Sequence, residues 1–449
     1  MRIPLLCLLL ALPLAADEIA DQIALLGDED YEKRESAVQR LIELGEAAVP
    51  ALKAALENPD PEVQTKAAHA LTLISWMKAM PPNFRKAHPE VPWSMLQGDE
   101  KTRIAWVQRL GRECGEDAVP AALLFLQDEA RAVRVQALMV LGRQTKGLSR
   151  FRESGMLDRL LPFLSDADAN VRVLAVGIAG EWGRAGGTDE AFAAAFREKA
   201  VPALLLALGA EEDGVRGAAA TALGLSGDRR ALEPLKSATR DPKSRVRIAA
   251  LTALGDLGDA GAADAAAEGL GDENEDAVRA AIAACRRLRA GKALPALRET
   301  LHRDRLPALV RQAALEALAD LDPPGIEDAR RLLGDFNPHL RAAAWLILLA
   351  ADPGGAAPAI EDADPEVRLV AARALARAKR EIAVPLLIRL VDDSQLTTVR
   401  DAAGHDIARG EVREAAMRSL EAVTGRKEAA ADPDVAAEGW KAWRAAGGK

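Results

Sequence analysis

Residues 364–375 read Asp364-Pro365-Glu366-Val367-Arg368-Leu369-Val370-Ala371-Ala372-Arg373-Ala374-Leu375, and versions of this phrase return along the whole chain. Clear copies lie at Asp60–Leu71, Arg131–Leu141, Asp168–Ala179, Asp213–Leu223, Lys243–Leu254, Leu309–Leu318 and Pro338–Leu348. Weaker copies lie at 33–41, 102–110, 277–285 and 412–420. Marked at the Val of the Val-Arg pair or its equivalent, the copies begin at 33, 63, 102, 133, 171, 215, 246, 277, 310, 340, 367 and 412. Most steps are close to thirty residues, and four stretch to 38, 39, 44 and 45. A steady floor with occasional longer steps is a repeat array carrying insertions in a few units.

Within a phrase, apolar or small residues fall at the mark and four, seven and eight positions later, as in Val246, Ala250, Ala253 and Leu254. That spacing is one face of an α-helix. Asp60-Pro61, Asp241-Pro242, Asn337-Pro338 and Asp364-Pro365 open copies with a capping side chain followed by a Pro that needs no donor. Gly142, Gly224 and Gly255, near the ends, are expected to take the left-handed conformation that closes a helix. A second, shorter helix follows, with Pro expected in its first turn: Pro50, Pro120, Pro202, Pro295 and Pro385. Two helices of this length cannot bury their apolar faces alone, so neighbouring pairs must stack. No strand-like alternation of β-branched residues competes.

This alternation of an Asp-Pro-Glu-Val-Arg helix with a Val-Pro-x-Leu helix resembles HEAT repeats, in the short form shared with phycobilisome-lyase-type HEAT proteins. The likeness covers about residues 20–425. It implies an all-α fold, a right-handed α-solenoid (superhelix) of about twelve antiparallel helix pairs. Such solenoids serve mainly as binding scaffolds and only occasionally as enzymes, so the likeness specifies fold more sharply than activity.

The first sixteen residues read differently. Arg2 precedes an apolar run from Ile3 to Leu14, and Ala15-Ala16 meets Asp17-Glu18. The expectation is a signal peptide over 1–16, with the mature chain exported to the periplasm or the extracellular space. The solenoid then spans 17–425, and 426–449 forms a C-terminal capping segment. No later segment is apolar for long enough to span a bilayer. Cys114 and Cys285 remain after processing, more than five repeats apart and beyond disulfide reach. Formal net charge is −9, and −10 without Arg2, which argues against nonspecific nucleic-acid binding.

The Arg that follows the mark recurs at Arg134, Arg172, Arg216, Arg247, Arg311, Arg341 and Arg368. A structural ladder is expected, each guanidinium pairing with a capping Asp or with carbonyls of its own or an adjacent repeat. Function is expected where the period breaks. Residues 76–98, rich in Pro and aromatics, are expected to project as a loop whose Trp76, Phe84 and Trp93 could anchor a partner or fold back on the helices. Residues 143–155 place Arg150 and Arg152 around Phe151, a candidate for anionic partners. Residues 183–200 carry Gly183, Gly186 and Gly187 ahead of an Ala-rich helix and lack a phosphate loop. Residues 392–410 hold the one His-Asp pair, His405-Asp406, without a serine nucleophile. Trp440 and Trp443, three apart on a short helix, are placed to close the last core, and this end resembles exported bacterial HEAT proteins.

Enzymatic relatives of this repeat class set residue tests. The diiron hydroxylase carries His-Glu pairs in several repeats, whereas none of His69, His88, His302, His339 and His405 precedes a Glu. DNA-glycosylase-type members use a long basic groove, and Arg286-Arg287 with Arg289 and Lys292 is too local. The expectation is a noncatalytic, exported protein-interaction scaffold without cofactor or metal, binding a protein partner on the concave face or the 76–98 insertion. The alternative is a HEAT-like lyase or other enzyme with a pocket on the inner face.

Overall fold

The computed structural model describes residues 17–89, 91, 98–143, 155–185, 190–321, 326–427 and 432–448. The expected signal peptide lies outside these residues. Among them, twelve α-helices carry the repeated phrase: α1 (Tyr31–Leu44), α2 (Pro61–Ala79), α3 (Glu100–Cys114), α4 (Arg131–Arg143), α5 (Ala169–Ala185), α6 (Asp213–Leu225), α7 (Ser244–Leu257), α8 (Glu275–Arg287), α9 (Ala308–Leu321), α10 (Pro338–Ala351), α11 (Pro365–Leu375) and α12 (Val412–Thr424). A last helix, α13 (Pro433–Ala445), follows. The chain divides into two compact units, residues 1–203 and 204–449. Each is a stack of helix pairs, and the second also carries one short β-hairpin.

Local chemistry accounts for the helix starts. Asp60, Asn337 and Asp364 each accept a hydrogen bond from the N–H two residues on, with Pro in the first turn behind them. Asp241 does the same for Lys243, but α7 begins only at Ser244, so Pro242 precedes that helix. Second helices with Pro in the first turn are Val49–Ala55, Val119–Phe125 and Leu294–Leu301. Pro202 and Pro385 lie inside longer helices, Glu190–Ala207 and Arg380–Ile388, because those begin well upstream. Between α10 and α11 the second helix shrinks to the 3-10 turns Pro353–Ala356 and Ala359–Glu361, which accounts for the shortest step.

The glycines correct a sequence expectation. Gly142, Gly224 and Gly255 lie within α4, α6 and α7 rather than in left-handed caps. A Cβ on Gly224 would stand 2.5 Å from the Cα of Ala253, and one on Gly255 3.1 Å from the Cα of Ala284. These glycines let successive phrase helices approach backbone to backbone. Gly183 within α5 instead makes room for a side chain, since a Cβ there would meet the Phe196 ring at 2.8 Å. Gly186 and Gly187 lie outside the described residues.

The arginines join one repeat to the next. In the second unit Arg216 pairs with Asp241 at 2.7 Å, Arg247 with Asp272 at 2.7 Å, Arg311 with Asp335 at 3.0 Å, Arg341 with Asp362 at 2.8 Å and Arg368 with Asp393 at 2.6 Å. In the first unit Arg103 pairs with Asp128 at 2.8 Å and Arg134 with Asp166 at 3.6 Å, and Arg172 donates to the carbonyls of Asp166 and Ala167. Hydrogen bonds from Arg216, Arg247 and Arg341 hold Asp241, Asp272 and Asp362 below the usual carboxylate range.

At the C-terminus Trp440 is fully buried in the same core as Leu375 and Leu420, with Trp443 packed edge-to-face at 5.5 Å. Arg426 lies over both rings. The expected loop at 76–98 is partly helical: α2 runs on to Ala79 and Pro82–Ala87 forms another turn and a half. No helix among the described residues is long and apolar enough to cross a membrane.

Two predictions follow from this packing. Arg247→Ala leaves a largely buried aspartate without its cation, and should lower stability in urea titration by about 2–3 kcal/mol. Asp272 has a depressed folded value, so its contribution is present above the unfolded value of 3.8 and is lost as pH falls through the lower folded one. The variant should therefore lose less melting temperature than the wild type between about pH 5 and pH 2. Gly224→Ala should destabilise by about 1–3 kcal/mol through overpacking, whereas Gly177→Ala in α5, with open space around the added methyl, should stabilise by up to about 1 kcal/mol.

Candidate functional site

With four, seven and eight positions after the mark turned into the core, the sixth faces outward in the phrase helices, and the tenth does so in most of them. Grooves between successive phrase helices open at these positions. Between α3 and α4 a cavity of about 230 Å³ is lined by Gln108, Gly111 and Arg112 and, across it, by Gln136, Met139 and Arg143. Between α10 and α11 the same register positions, Leu346 and Leu349 against Val370, Arg373 and Arg377, line a cavity of about 330 Å³. Between α1 and α2, Gln39, Ile42 and Glu43 face Leu73 and Met77 across about 550 Å³. The array thus repeats a groove, with an apolar or small floor and a polar rim.

The second unit adds a cover absent from the sequence expectation. Residues 392–410 were expected only as a break in period; they build an antiparallel hairpin of β1 (Leu396–Arg400) and β2 (Asp406–Glu411). Thr397, Thr398 and Val399 suit a pleated strand. The connecting turn is held by Asp401, whose carboxylate accepts from the N–H groups of Ala403 and His405, with Gly404 at φ 85°. His405 Nδ1 lies 3.1 Å from Asp401, so this histidine belongs to the turn.

The hairpin lies across the sixth-position residues of four successive phrase helices. Gly410 abuts Arg418 of α12. Arg373 of α11 donates to the carbonyls of Ile407 and Arg409, at 3.2 and 3.1 Å. Ile407 and Leu346 of α10 share the 330 Å³ cavity. At the tip, Glu316 of α9 accepts from the N–H of Ala402 at 3.2 Å, and Gln312 donates to the Arg400 carbonyl at 2.9 Å. Burial beneath the tip raises the Glu316 carboxyl above its ordinary value, and Asp401 adds to the rise. Desolvation and the neighbouring charge of Arg418 lower Arg373.

The sequence-derived partner residues fare differently. Trp76 is buried, its ring 4.1 Å from that of Phe125. Phe84 is buried against His88 and Trp106. The extra residues widen the joint between α2 and α3, and these rings fill it. Both rings are packed within the protein, and Trp76 also lines a groove of about 400 Å³ with Thr72, Ser75, Leu124 and Asp128. Trp93, Arg150 and Arg152 lie outside the described residues. The local basic run is neutralised, since Arg286 pairs with Asp320 at 2.5 Å and Arg287 with Asp256 at 2.6 Å. Burial pushes the Cys285 thiol up to about 12 and Cys114 to about 11, so both favour the unreactive protonated form.

A sequence profile of HEAT repeats matches residues 19–82, 157–244, 201–286 and 237–319. The chain belongs to the HEAT-repeat family. HEAT-repeat solenoids are generally protein-interaction scaffolds. No curated protein matches this HEAT-repeat chain. Solved structures similar to it include YibA of Escherichia coli, at 18% identity and TM-score 0.38 over 70% of this chain and 97% of that one. The CpcE–CpcF complex of phycocyanin lyase from Nostoc matches at 22% identity and TM-score 0.32, over 60% and 94%. Importin beta matches at 15% identity and TM-score 0.47, over 93% and 60%.

The latch at the hairpin tip is testable. Glu316→Ala removes the acceptor for Ala402 and should speed hydrogen exchange at amides of 396–411 at least several-fold. Glu316→Gln keeps a side-chain oxygen without the buried charge and should leave that exchange slow. Equal exchange in both variants would show that Glu316 does not hold the hairpin.

Proposed function

We propose that this HEAT-repeat protein is an exported, noncatalytic scaffold that binds a protein partner along the outward face of its phrase helices. The observation that carries this reading is the recurrence of one groove at one register, between α3 and α4 and again between α10 and α11. Shallow, open grooves of this kind suit the side chains of a partner protein better than an enclosed small substrate. Met139 and Leu346 stand exposed on it, flanked by guanidiniums of Arg112 and Arg143 or of Arg373 and Arg377. Exposed apolar side chains ringed by Arg are the composition of binding surfaces. A lyase-type pocket would need carboxylate and imidazole converging on one cavity. Among the described lining residues of the three grooves, the acidic side chain is Glu43 and none is histidine.

Export rests on the N-terminal pattern of Arg2, the apolar run and Ala15-Ala16. It places the scaffold in the periplasm or outside the cell. The intact mass of the native protein tests it directly: a chain beginning at Asp17 is expected, and a chain retaining Met1 in the cytosolic fraction would overturn the assignment.

The binding face is tested by installing a photo-crosslinking residue at Met139 or, as a control, at Lys53 on an exposed second helix. In the native envelope fraction, one recurrent protein should be captured from position 139 and not from 53. Adding Arg112→Glu should reduce the yield several-fold. Equal capture at both positions, or none at 139, would overturn the scaffold reading of this face.

A further inference from the structure

The hairpin has two outer edges, and the protein treats them differently. Val412 donates its N–H to the Gln395 carbonyl, in the register that pairs Thr397 with Gly410 and Val399 with Ala408. Those residues use their backbone groups inside the ladder, so Leu396, Thr398 and Arg400 on β1 and Arg409 on β2 turn theirs outward. Two of the outward carbonyls are occupied, Arg400 by Gln312 and Arg409 by Arg373. Along β2 the edge is closed. Arg373 also caps the Ile407 carbonyl, and the register slips there, since Val399 pairs with Ala408 and Arg400 with Asp406. Along β1 the edge is open. Among the described residues no donor or acceptor meets the outward N–H and C=O of Leu396 and Thr398. Natural edges are guarded by Pro, by charged side chains or by a covering element. Leu396-Thr397-Thr398-Val399 carries neither Pro nor charge, and Leu396 is 68% exposed.

The helices beneath limit what can lie along this edge. Arg368, one position after its mark, reaches Gln395 at the start of β1, whereas Arg373, six after it, reaches β2. Gln312 and Glu316 keep the same order on α9, toward Arg400 and Ala402. The open edge therefore faces the N-terminal ends of the phrase helices. β1 packs on α11, in one core with Val370. One turn back from Val370 is Glu366, joined to His339 of α10 at 2.7 Å, with Leu309 at the same position of α9. A helical turn advances about 5.4 Å and a strand takes about 4.8 Å, so these residues form the floor under an added strand. A second copy of the hairpin would bring its own helix layer into that floor. An extended segment standing alone fits. Leu309 and, in the turn ahead of α10, Phe336 are 46% and 99% exposed, so its side chains meet apolar surface at this end of the helices.

We propose that the open edge of β1 takes an extended segment of a partner protein as a third strand, its backbone paired with Leu396 and Thr398 and its apolar side chains alternating between Leu396 and Leu309. The proposal rests on the scaffold reading for its class of partner and adds the partner's conformation. It is a backbone site apart from the grooves, so failed capture at position 139 leaves it standing, and its own failure leaves the grooves as they are.

The test is hydrogen exchange of the full chain at single-amide resolution, with an acetylated, amidated peptide of three Val-Thr repeats and a C-terminal Lys. In the free chain the Leu396 and Thr398 amides should exchange fast and the Val399 amide slowly. Saturating peptide should slow the first two at least tenfold and leave Val399 unchanged. Thr398→Pro removes an outward N–H and no ladder bond, and should weaken the peptide at least tenfold by fluorescence anisotropy. Leu396→Lys, a charge on an already exposed side chain, should weaken it at least threefold. Slow exchange at Val399 establishes that the hairpin survives in each variant; if Thr398→Pro loses it, Leu396→Lys decides alone. Absence of saturable binding to the wild type would overturn the proposal. So would peptide protection elsewhere with Leu396 and Thr398 still fast, which would place the peptide in the grooves. A concentration-dependent dimer of the wild type, lost in Leu396→Lys, would overturn it in favour of a second copy.

Discussion

The inter-repeat turns at Asp128, Asp166, Asp241, Asp335 and Asp362 are each organised by an aspartate shared between two arginines. Asp241 shows the arrangement: its carboxylate takes the guanidinium of Arg216 from the repeat before and caps the N–H of Lys243. Its carbonyl takes Nη1 of Arg247 from its own repeat. Arg247 then reaches Asp272, and the relay begins again. Asp335 and Asp362 repeat the pattern with Arg311, Arg341 and Arg368. Buried ion pairs offset their own desolvation only when geometry and hydrogen bonding are nearly complete. Here both carboxylate oxygens and the carbonyl of one residue are used together. The consequence is register: neither turn can slide without breaking bonds in its neighbour. Where the phrase lacks its arginine, the buried Val278 of α8 takes the position, and Arg303 reaches back instead to the Leu270 carbonyl.

That fixed spacing is what small residues exploit. With the turns pinned, α6 and α7 approach until Gly224 meets the Ala253 backbone, and α3 and α4 until Gly111 meets the Val140 side chain. The interlayer core is thin, and several of its large side chains gather where the period is stretched. The joint after α2 takes Trp76, Phe84 and Trp106, and the last open face takes Trp440 and Trp443. Thin layers also leave little depth for an enclosed cavity, and the described grooves on the outer face are open.

Much of this was legible in the residues because it is local. A cap and a Pro lie within three positions of each other, and the face of a helix repeats every three to four. The acidic partner of each arginine could be narrowed to the capping aspartates, though which repeat supplied it required the stack. What sequence reasoning missed is what depends on neighbours. Gly142, Gly224 and Gly255 stand where a C-terminal glycine would, but the helices run through them, and at Gly224 and Gly255 it is the adjacent helix that leaves little room for a Cβ. Trp76 reads as an anchor in isolation and becomes core once Phe125 is beside it. The hairpin was the largest omission. Five residues around Thr397-Thr398-Val399 are too few to register against a helical background, and their pairing is stabilised by Gln312, Glu316 and Arg373, which lie far away in the chain.

The hairpin also divides the outward face by chemistry. Over α9 to α12 the sixth position after the mark is Glu316, Leu346, Arg373 and Arg418, and each meets the hairpin by hydrogen bond or contact. Over α6 to α8 the same position is Thr221, Thr252 and Ala283, small residues with no cover of their own length scale. Long or charged side chains thus coincide with the covering strands, and short ones with the uncovered helices. The sixth position therefore marks, within the second unit, which phrase helices carry the hairpin, although all of them share one phrase.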